Sequence, residues 1–139
     1  MSALLIGIAG GTASGKTTLA RILKNSFKDK VTILKHDYYY YDRSHFDMDD
    51  QNINFDHPDS FETELLIKHL QQLKSGESIK RPVYSYKTNK RLKETKEVKS
   101  APIIIVEGIL IFHYEKLKDL LYIIETPPYD GEDEDVKTI

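Results

Sequence analysis

Apolar residues fall into short runs separated by polar segments. Leu4–Ala9 is a continuous apolar run, and Ile103–Val106 is a second run that ends in a carboxylate. Continuous runs of this length are typical of strands buried on both faces of a parallel sheet. The β-rich residues 31–34 and the residues 122–125 predict two further strands. The pattern therefore predicts a mainly parallel sheet.

Helical periodicity occurs between these strands. The apolar residues that recur at helical spacing after the first strand are Leu19, Ile22, Leu23 and Phe27. Similar spacing over residues 61–73 predicts a second helix, and residues 114–121 predict a short third one. Helices that alternate with parallel strands predict an α/β fold with three layers.

The second helix has sequence signals at both ends. Asp59 and Glu62 stand three residues apart, like a capping box, and Gly76 follows the last apolar position. His69 is expected to be an ordinary residue of one helix face. We therefore expect the helix to begin near Asp59 and to end before Gly76.

A β-hairpin is predicted after this helix. Residues 79–86 and 92–98 are β-prone and are joined by the polar residues 87–91. The cations of the region are Lys80, Arg81, Lys87, Lys90, Arg91, Lys93, Lys96 and Lys99. Tyrosines lie between these cations, and such a pattern can indicate a surface that binds nucleic acid. Glu94 and Glu97 lower the positive charge of the region, so a solvent-exposed charged face is favoured.

The strongest motif lies between the first strand and the first helix. It matches the phosphate-loop pattern G-x-x-x-x-G-K-[ST] without interruption and comprises Gly10, Gly11, Thr12, Ala13, Ser14, Gly15, Lys16 and Thr17, followed by Thr18. Backbone N–H groups of such a loop surround phosphate oxygens, and the following helix points its positive end at them. Lys16 then reaches the β- and γ-phosphates, and Thr17 binds Mg²⁺. A chance glycine-rich turn is the alternative, which the flanking strand and helix disfavour.

Two carboxylates follow predicted strands. Asp37 comes after residues 31–34, where a ligand beside the sheet could meet a general base, although an N-cap or turn aspartate is an equal alternative. His36 is expected to pack or to hydrogen-bond. Glu107 ends the strand at residues 103–106 and is a candidate Mg²⁺ ligand, with simple strand termination as the alternative.

Composition narrows the class of protein. The chain has 139 residues, a net charge of −2 and no cysteine, which excludes disulfides, thiolate catalysis and sulfur-ligated zinc. Its apolar runs are too short to span a membrane, and we expect a soluble cytoplasmic protein with no membrane or nucleic-acid partner. Residues 42–58 form a polar segment that predicts a functional or disordered loop, and residues 127–139 predict an acidic tail.

Several motifs in order resemble the uridine (uridine–cytidine) kinase family. They are the phosphate loop, the aspartate and tyrosines at residues 37–41, Phe55-Asp56-His57-Pro58-Asp59-Ser60-Phe61, Pro82-Val83-Tyr84 and Val106-Glu107-Gly108-Ile109-Leu110. The likeness runs from about Leu4 to about Glu125. It implies a three-layer α/β fold of the P-loop NTPase type with an inserted hairpin, over residues 1–126.

The resemblance implies an ATP- or GTP-dependent kinase, with Mg²⁺, that phosphorylates the 5′-hydroxyl of uridine or cytidine. By position, Asp37 resembles the catalytic base, assisted by Lys16, and Asp56 resembles the carboxylate that holds ribose hydroxyls. Tyr40, Phe55 and Tyr84 resemble the walls of the nucleoside pocket, and Arg91 resembles the basic residue after the hairpin turn.

The chain departs from the family in two places. Asn89 stands where the family usually has a base-reading histidine, so a neutral amide meets the pyrimidine edge. The family also continues into an arginine-rich lid helix and further elements, where this sequence has Pro127-Pro128 and acidic residues. Lid arginines neutralise charge on the transferring phosphoryl group.

Three functions follow from these observations. The first is a uridine kinase-like enzyme, which could assemble as a homo-oligomer. The second is a nucleotide-binding regulatory or assembly module with weak or no catalysis, because the lid arginines are missing. The third is another small-molecule kinase of the same superfamily, against which the Phe55-Asp56-His57-Pro58 motif and the tyrosine-lined pocket argue.

Overall fold

The computed structural model describes residues 2–10, 16–46 and 57–125. Its strands and helices, in chain order, are β1 Leu4–Ala9, α1 Lys16–Phe27, β2 Val31–Lys35, α2 Thr63–Lys74, β3 Ile79–Ser85, β4 Lys90–Val98, β5 Ile103–Gly108, α3 Glu115–Leu120 and β6 Tyr122–Glu125. The acidic tail expected at residues 127–139 lies outside the described residues.

A parallel sheet forms the centre of the fold. Its strand order is β2-β5-β1-β6, with every neighbouring pair parallel. Strands β3 and β4 form a separate antiparallel hairpin. Since each parallel connection must cross a face of the sheet, the helices lie against those faces.

The core has one apolar cluster on each face of the sheet. On one face, Ala20 of α1 packs with the β-strand residues Ile8 and Ile105. On the other face, Leu70 of α2 and Leu117 of α3 belong to the larger cluster, which also contains strand residues such as Ile104 and Val106. Alternate residues of β5 thus face opposite helical layers. The predicted three-layer α/β fold with a mainly parallel sheet and an inserted hairpin is confirmed.

Two local predictions are corrected. The capping box at Asp59 and Glu62 is wrong, because residues 58–60 form a separate 3₁₀ turn and Glu62 precedes α2 without a side-chain cap. Phe61 between them is extended and bridges to Tyr40, so the helix cannot begin earlier. The face of α1 also differs from the prediction: Leu19 and Leu23 pack against the sheet, whereas Ile22 and Phe27 are 44% and 45% exposed.

Other turn predictions hold. Gly76 has φ +91° and donates its N–H to Leu73 O at 3.0 Å, so it ends α2 as expected. Asn89 also adopts a left-handed conformation, with φ +54°, in the turn of the hairpin.

Among the residues described, no helix combines the length and apolar character needed to cross a bilayer.

Candidate active site

The carboxyl ends of three neighbouring strands bring the predicted site together. Lys35 of β2 lies opposite Glu107 of β5, and Ala9 of β1 lies opposite Gly108 of β5. Gly10 follows β1 directly, and Asp37 comes two residues after the end of β2. Parallel strands that end together place their following residues along one edge, where ligands of such sheets bind. Gly10, Asp37 and Glu107 therefore share this edge.

The phosphate-loop side consists of backbone around the start of α1. Helix α1 begins at Lys16, so Lys16, Thr17 and Thr18 form its first turn. The first turn of a helix carries unpaired N–H groups and a partial positive charge, which suit an anion. The loop residues Gly11, Thr12, Ala13, Ser14 and Gly15 lie outside the described residues.

Glu107 is a buried carboxylate at this edge. Glu107 is only 5% exposed and lies one residue before the end of β5, which is otherwise apolar. Buried carboxylates need a cation or hydrogen-bond donors close by. Oxygen ligands of this type suit Mg²⁺, so the donor chemistry of Glu107 fits the metal that phosphate-loop sites bind.

The turn that carries Asp37 is attached to the segment before α2. Residues 36–39 form a 3₁₀ turn after β2. Glu62 N donates to Tyr39 O at 2.7 Å, and Tyr41 N donates to Ser60 O at 2.9 Å. These bonds hold the peptide after Asp37 against residues that lie 23 and 19 positions further along the sequence.

Gly108 allows the turn to approach β5 closely. A Cβ atom added at Gly108 would lie 2.7 Å from His36 Cβ and 3.2 Å from Ile111 Cγ1. The first distance is shorter than real Cβ contacts, and neither neighbour is the free end of a flexible side chain. Glycine at this position therefore lets the ends of β2 and β5 pack together beside Glu107.

An aromatic group lies on the hairpin side of the turn. The rings of Tyr40 and Phe61 stack at 4.3 Å, and the rings of Tyr40 and Tyr84 lie 5.3 Å apart. All three residues are at least 91% buried. The turn of residues 36–39, which carries Asp37, packs against β3. Burial, and then the negative charge of Asp37, raise the pKa of Tyr86 to about 12.

Arg91 holds the hairpin turn against the aromatic group. Its guanidinium forms an ion pair with Glu62 and donates to Tyr40 O at 2.9 Å. Its backbone N–H donates to Asp42 Oδ1 at 2.8 Å. Asn89 O accepts from Arg43 N at 3.0 Å. In this structure Arg91 and Asn89 therefore make contacts that order the wall of the candidate pocket.

Sequence reasoning missed several residues that build this region. Glu62 was interpreted as part of a cap, and Asp42 as part of an irregular loop. His69 was expected to be an ordinary residue of a helix face, yet it is 8% exposed and its Nδ1 lies 2.7 Å from Tyr39 Oη. No local pattern identifies such partners, since each pair joins residues 29 to 51 positions apart. The expectation that His36 packs or hydrogen-bonds is confirmed by its burial and its contact with Thr63.

The structure brings together Asp37, Tyr40, Tyr84, Asn89, Arg91 and Glu107, with Gly10 at the edge of the sheet. Phe55 and Asp56, which were expected to contact the nucleoside, lie outside the described residues. The side chains of Lys16, Thr17 and Thr18 are likewise outside the described part. Their predicted roles therefore stay predictions.

Comparisons with protein families and with individual proteins point to the same family. The sequence model of the phosphoribulokinase/uridine kinase family matches residues 5–124. A uridine kinase from Clostridium novyi (strain NT) is 46% identical over an alignment of 141 positions, which covers all of this chain and 66% of that protein. A uridine kinase from Oceanobacillus iheyensis is 44% identical over 120 residues, which cover 85% of this chain and 57% of that protein. The chain thus spans less than two thirds of the length of these relatives.

A solved structure has the same fold at lower sequence identity. A protein described as a possible uridine kinase from Bacillus stearothermophilus aligns with a TM-score of 0.70 and 21% identity. The alignment covers 90% of this chain and 71% of that one. At this identity the likeness supports the fold alone.

Proposed function

This chain belongs to the phosphoribulokinase/uridine kinase family, and from that premise we propose that it is a uridine kinase-like phosphotransferase. The proposed reaction moves the γ-phosphate of ATP or GTP to the 5′-hydroxyl of uridine or cytidine. The observation that carries the proposal is the meeting of Gly10, Asp37 and Glu107 at one edge of the sheet. A buried aromatic group lies on the hairpin side of this edge.

The triphosphate binds, in this proposal, at the loop between β1 and α1. Backbone N–H groups of residues 10–15 and the first turn of α1 surround its phosphates, and Lys16 contacts the β- and γ-phosphates. Thr17 and Glu107 would hold Mg²⁺. When bound, the metal neutralises charge on the phosphate oxygens. The burial of Glu107 at the end of β5 supports its part in this arrangement.

The transfer step requires a proton acceptor on the nucleoside side. The oxygen of the 5′-hydroxyl attacks the γ-phosphorus, and the bond from that phosphorus to the bridging oxygen of the β-phosphate breaks. The nucleoside diphosphate leaves, and the proton of the hydroxyl passes to the Asp37 carboxylate. The products are a nucleoside monophosphate and the diphosphate. The position of Asp37 just after β2, on the same edge of the sheet as the loop that follows β1, supports this role.

The nucleoside occupies the aromatic side of the site. We propose that Tyr40, Phe55 and Tyr84 contact the nucleoside, that Asp56 binds the ribose hydroxyls and that Asn89 meets the base. The stacking of Tyr40 on Phe61 supports a rigid aromatic wall. Arg91 is bonded to Glu62 and to Tyr40 O, which supports a contribution through the position of this wall.

A second candidate function is a nucleotide-binding module with weak or no turnover. Helix α1 begins at Lys16, and the loop before it together with the first turn of the helix would bind a triphosphate without help from the nucleoside side. Binding of the triphosphate therefore does not require turnover.

The test incubates the purified chain with Mg²⁺ and ATP or GTP, together with a panel of nucleosides, sugar phosphates and pantothenate. Products are identified by mass, and triphosphate affinity is measured by calorimetry. Uridine or cytidine monophosphate supports the kinase. Triphosphate binding without any product supports the second candidate. Phosphorylation of another compound, or no triphosphate binding, contradicts the proposal. Lys16→Ala is the control, and it should weaken triphosphate binding.

A further inference from the structure

We propose that four buried side chains, His36, Tyr39, Thr63 and His69, position the carboxylate of Asp37 for catalysis. We call them the turn clamp. They are positioning residues, because in the proposed reaction they act through Asp37 and do not contact the reacting atoms. The inference rests on the proposed function, within which it names residues that neither the motif nor the family resemblance identified.

The clamp joins both ends of the Asp37 turn to a single helix. His36 immediately precedes Asp37, and Tyr39 follows it by two positions. Their hydrogen-bond partners, Thr63 and His69, both lie on α2. The backbone between two such attachments has little freedom to rotate, so the side chain of Asp37 keeps a fixed direction. Helix α2 thus provides a fixed reference for the carboxylate.

The first attachment is a neutral imidazole enclosed by apolar and aromatic groups. His36 is fully buried, and its Nε2 lies 3.1 Å from Thr63 Oγ1. Its ring stacks on Phe61 at 3.9 Å and meets the edge of Tyr114 at 5.5 Å. Burial lowers the pKa of His36 to about 3, so the ring is uncharged near neutral pH. Since Nδ1 has no hydrogen-bond partner among the described residues, Thr63 is the polar contact that orients the ring there.

The second attachment is a phenol that stays protonated. Tyr39 is fully buried, and its Oη lies 2.7 Å from His69 Nδ1, a length typical of a strong hydrogen bond. Burial raises the pKa of Tyr39 and lowers the pKa of His69. Both shifts favour the neutral pair, with the hydroxyl donating to the imidazole. A buried pair of this kind costs free energy to separate, because each group would be left without a partner.

The clamp adds side-chain attachments to the backbone bonds of this region. Main-chain bonds attach Tyr39 and Tyr41 to residues 60–62. The contact of His36 with Thr63 is a further attachment at the start of the turn. Displacement of a catalytic group by about 1 Å can lower the rate by up to 10²-fold. Loss of either attachment should therefore reduce turnover more than it reduces binding.

Kinetics of hydroxyl-deletion variants test the inference. Tyr39→Phe and Thr63→Val each remove one hydroxyl. The matched controls are Tyr122→Phe, at an exposed position of β6, and Thr32→Val on β2, which removes a hydroxyl that donates to Lys99 O at 3.0 Å. We expect Tyr39→Phe and Thr63→Val to lower kcat about tenfold with unchanged KM for ATP, and Thr63→Ser to restore it. In the Asp37→Asn background the same substitutions should lower kcat no further. An equal fall in both backgrounds, or in the controls, would overturn the inference.

A second measurement separates the clamp from the proposed function. If the unaltered chain forms no product, the proposed function fails, and amide hydrogen exchange of residues 36–39 then decides the inference. Tyr39→Phe and Thr63→Val should each accelerate this exchange about tenfold while leaving β1 and β5 unchanged. Unchanged exchange in the turn overturns the clamp. The two substitutions act at opposite ends of the turn, so either variant alone is sufficient if the other does not fold.

Discussion

The two sides of the candidate site are built differently. The proposed phosphate side consists of consecutive residues, from Gly10 to Thr17, and we expect the backbone to provide most of the binding groups there. The proposed nucleoside side consists of side chains from the segments between β2 and α2 and from the hairpin, which meet through contacts such as Tyr40 with Tyr84 and Arg91 with Glu62. The first side can be recognised in a short stretch of sequence, whereas the second exists only when distant segments pack together.

This difference has a consequence for mutations. A substitution on the phosphate side should change one binding step, because the groups act on the same ligand. A substitution on the nucleoside side should change several properties of the site together, because each side chain there also holds a neighbouring element in place. The following changes test this contrast, in order of decreasing expected effect.

Asp37→Asn should produce the largest change. The variant keeps the shape of the side chain but removes the proton acceptor, so kcat should fall by about 10²-fold or more while ATP affinity is largely unchanged. Steady-state kinetics and calorimetry measure the two quantities. An Asp37→Asn variant with full turnover would remove Asp37 as the base and would leave the turn as a structural feature.

Gly108→Ala should disturb the close contact between the end of β5 and the turn that carries Asp37. The added methyl group would clash with His36 Cβ, and overpacking of this kind costs about 2 to 3 kcal/mol of unfolding free energy. Turnover should fall with it, because the clash displaces the turn of Asp37. Urea denaturation and kinetics check both effects.

Gly76→Ala is the comparison for this variant. Gly76 has φ +91° at the end of α2 with nothing near its added Cβ, so the variant should lose stability through backbone strain and retain turnover. Equal losses of turnover in the two variants would contradict a special role of the Gly108 contact.

Lowering the pH should reduce the free energy of unfolding through His36, which lies on the nucleoside side. Burial depresses the pKa of His36 to about 3 in the folded state, so between about pH 6.5 and pH 3 the unfolded chain binds a proton that the folded chain does not. This contribution to stability is fully present above pH 6.5 and declines as the pH falls through this window. The unfolding free energy should be about 2 kcal/mol lower at pH 5 than at pH 7.5. The lowered pKa of His69 acts in the same direction.

His36→Gln is the control for the acid effect. Glutamine cannot take up the proton, so the variant should be less stable at neutral pH but should lose less of its remaining stability between pH 7.5 and pH 5. Urea denaturation at both pH values measures the slope. An identical slope in both proteins would assign the acid sensitivity to other groups.

Arg91→Lys should have the smallest effect of the series. A lysine ammonium cannot bond Glu62 and Tyr40 O in the same planar geometry, and the pair is partly exposed, so about 1 kcal/mol should be lost. The nucleoside KM should rise about fivefold, while the KM for ATP stays unchanged. A rise in the KM for ATP instead would contradict the division of the site into two sides.

Much of the site's outline could be predicted from short sequence patterns. The apolar runs located β1 and β5, and the same runs predicted that Asp37 and Glu107 lie at the ends of strands. These predictions succeed because the signal is local: the burial of a strand depends on neighbouring residues. The glycine motif is local in the same way, and the phosphate site that it indicates stays a prediction. The order β2-β5-β1-β6 then brings both carboxylates to one edge.

The class of fold, the phosphate-loop motif and the two strand-end carboxylates can be recognised from the residues alone. The pairing of Glu62 with Arg91, the contact of the buried His69 with Tyr39, and the start of α2 after Phe61 rather than at Asp59 depend on the packed fold. Such contacts join segments far apart in the chain, and their free energy appears only after the sheet and helices have packed. For that reason no local pattern of residues encodes them.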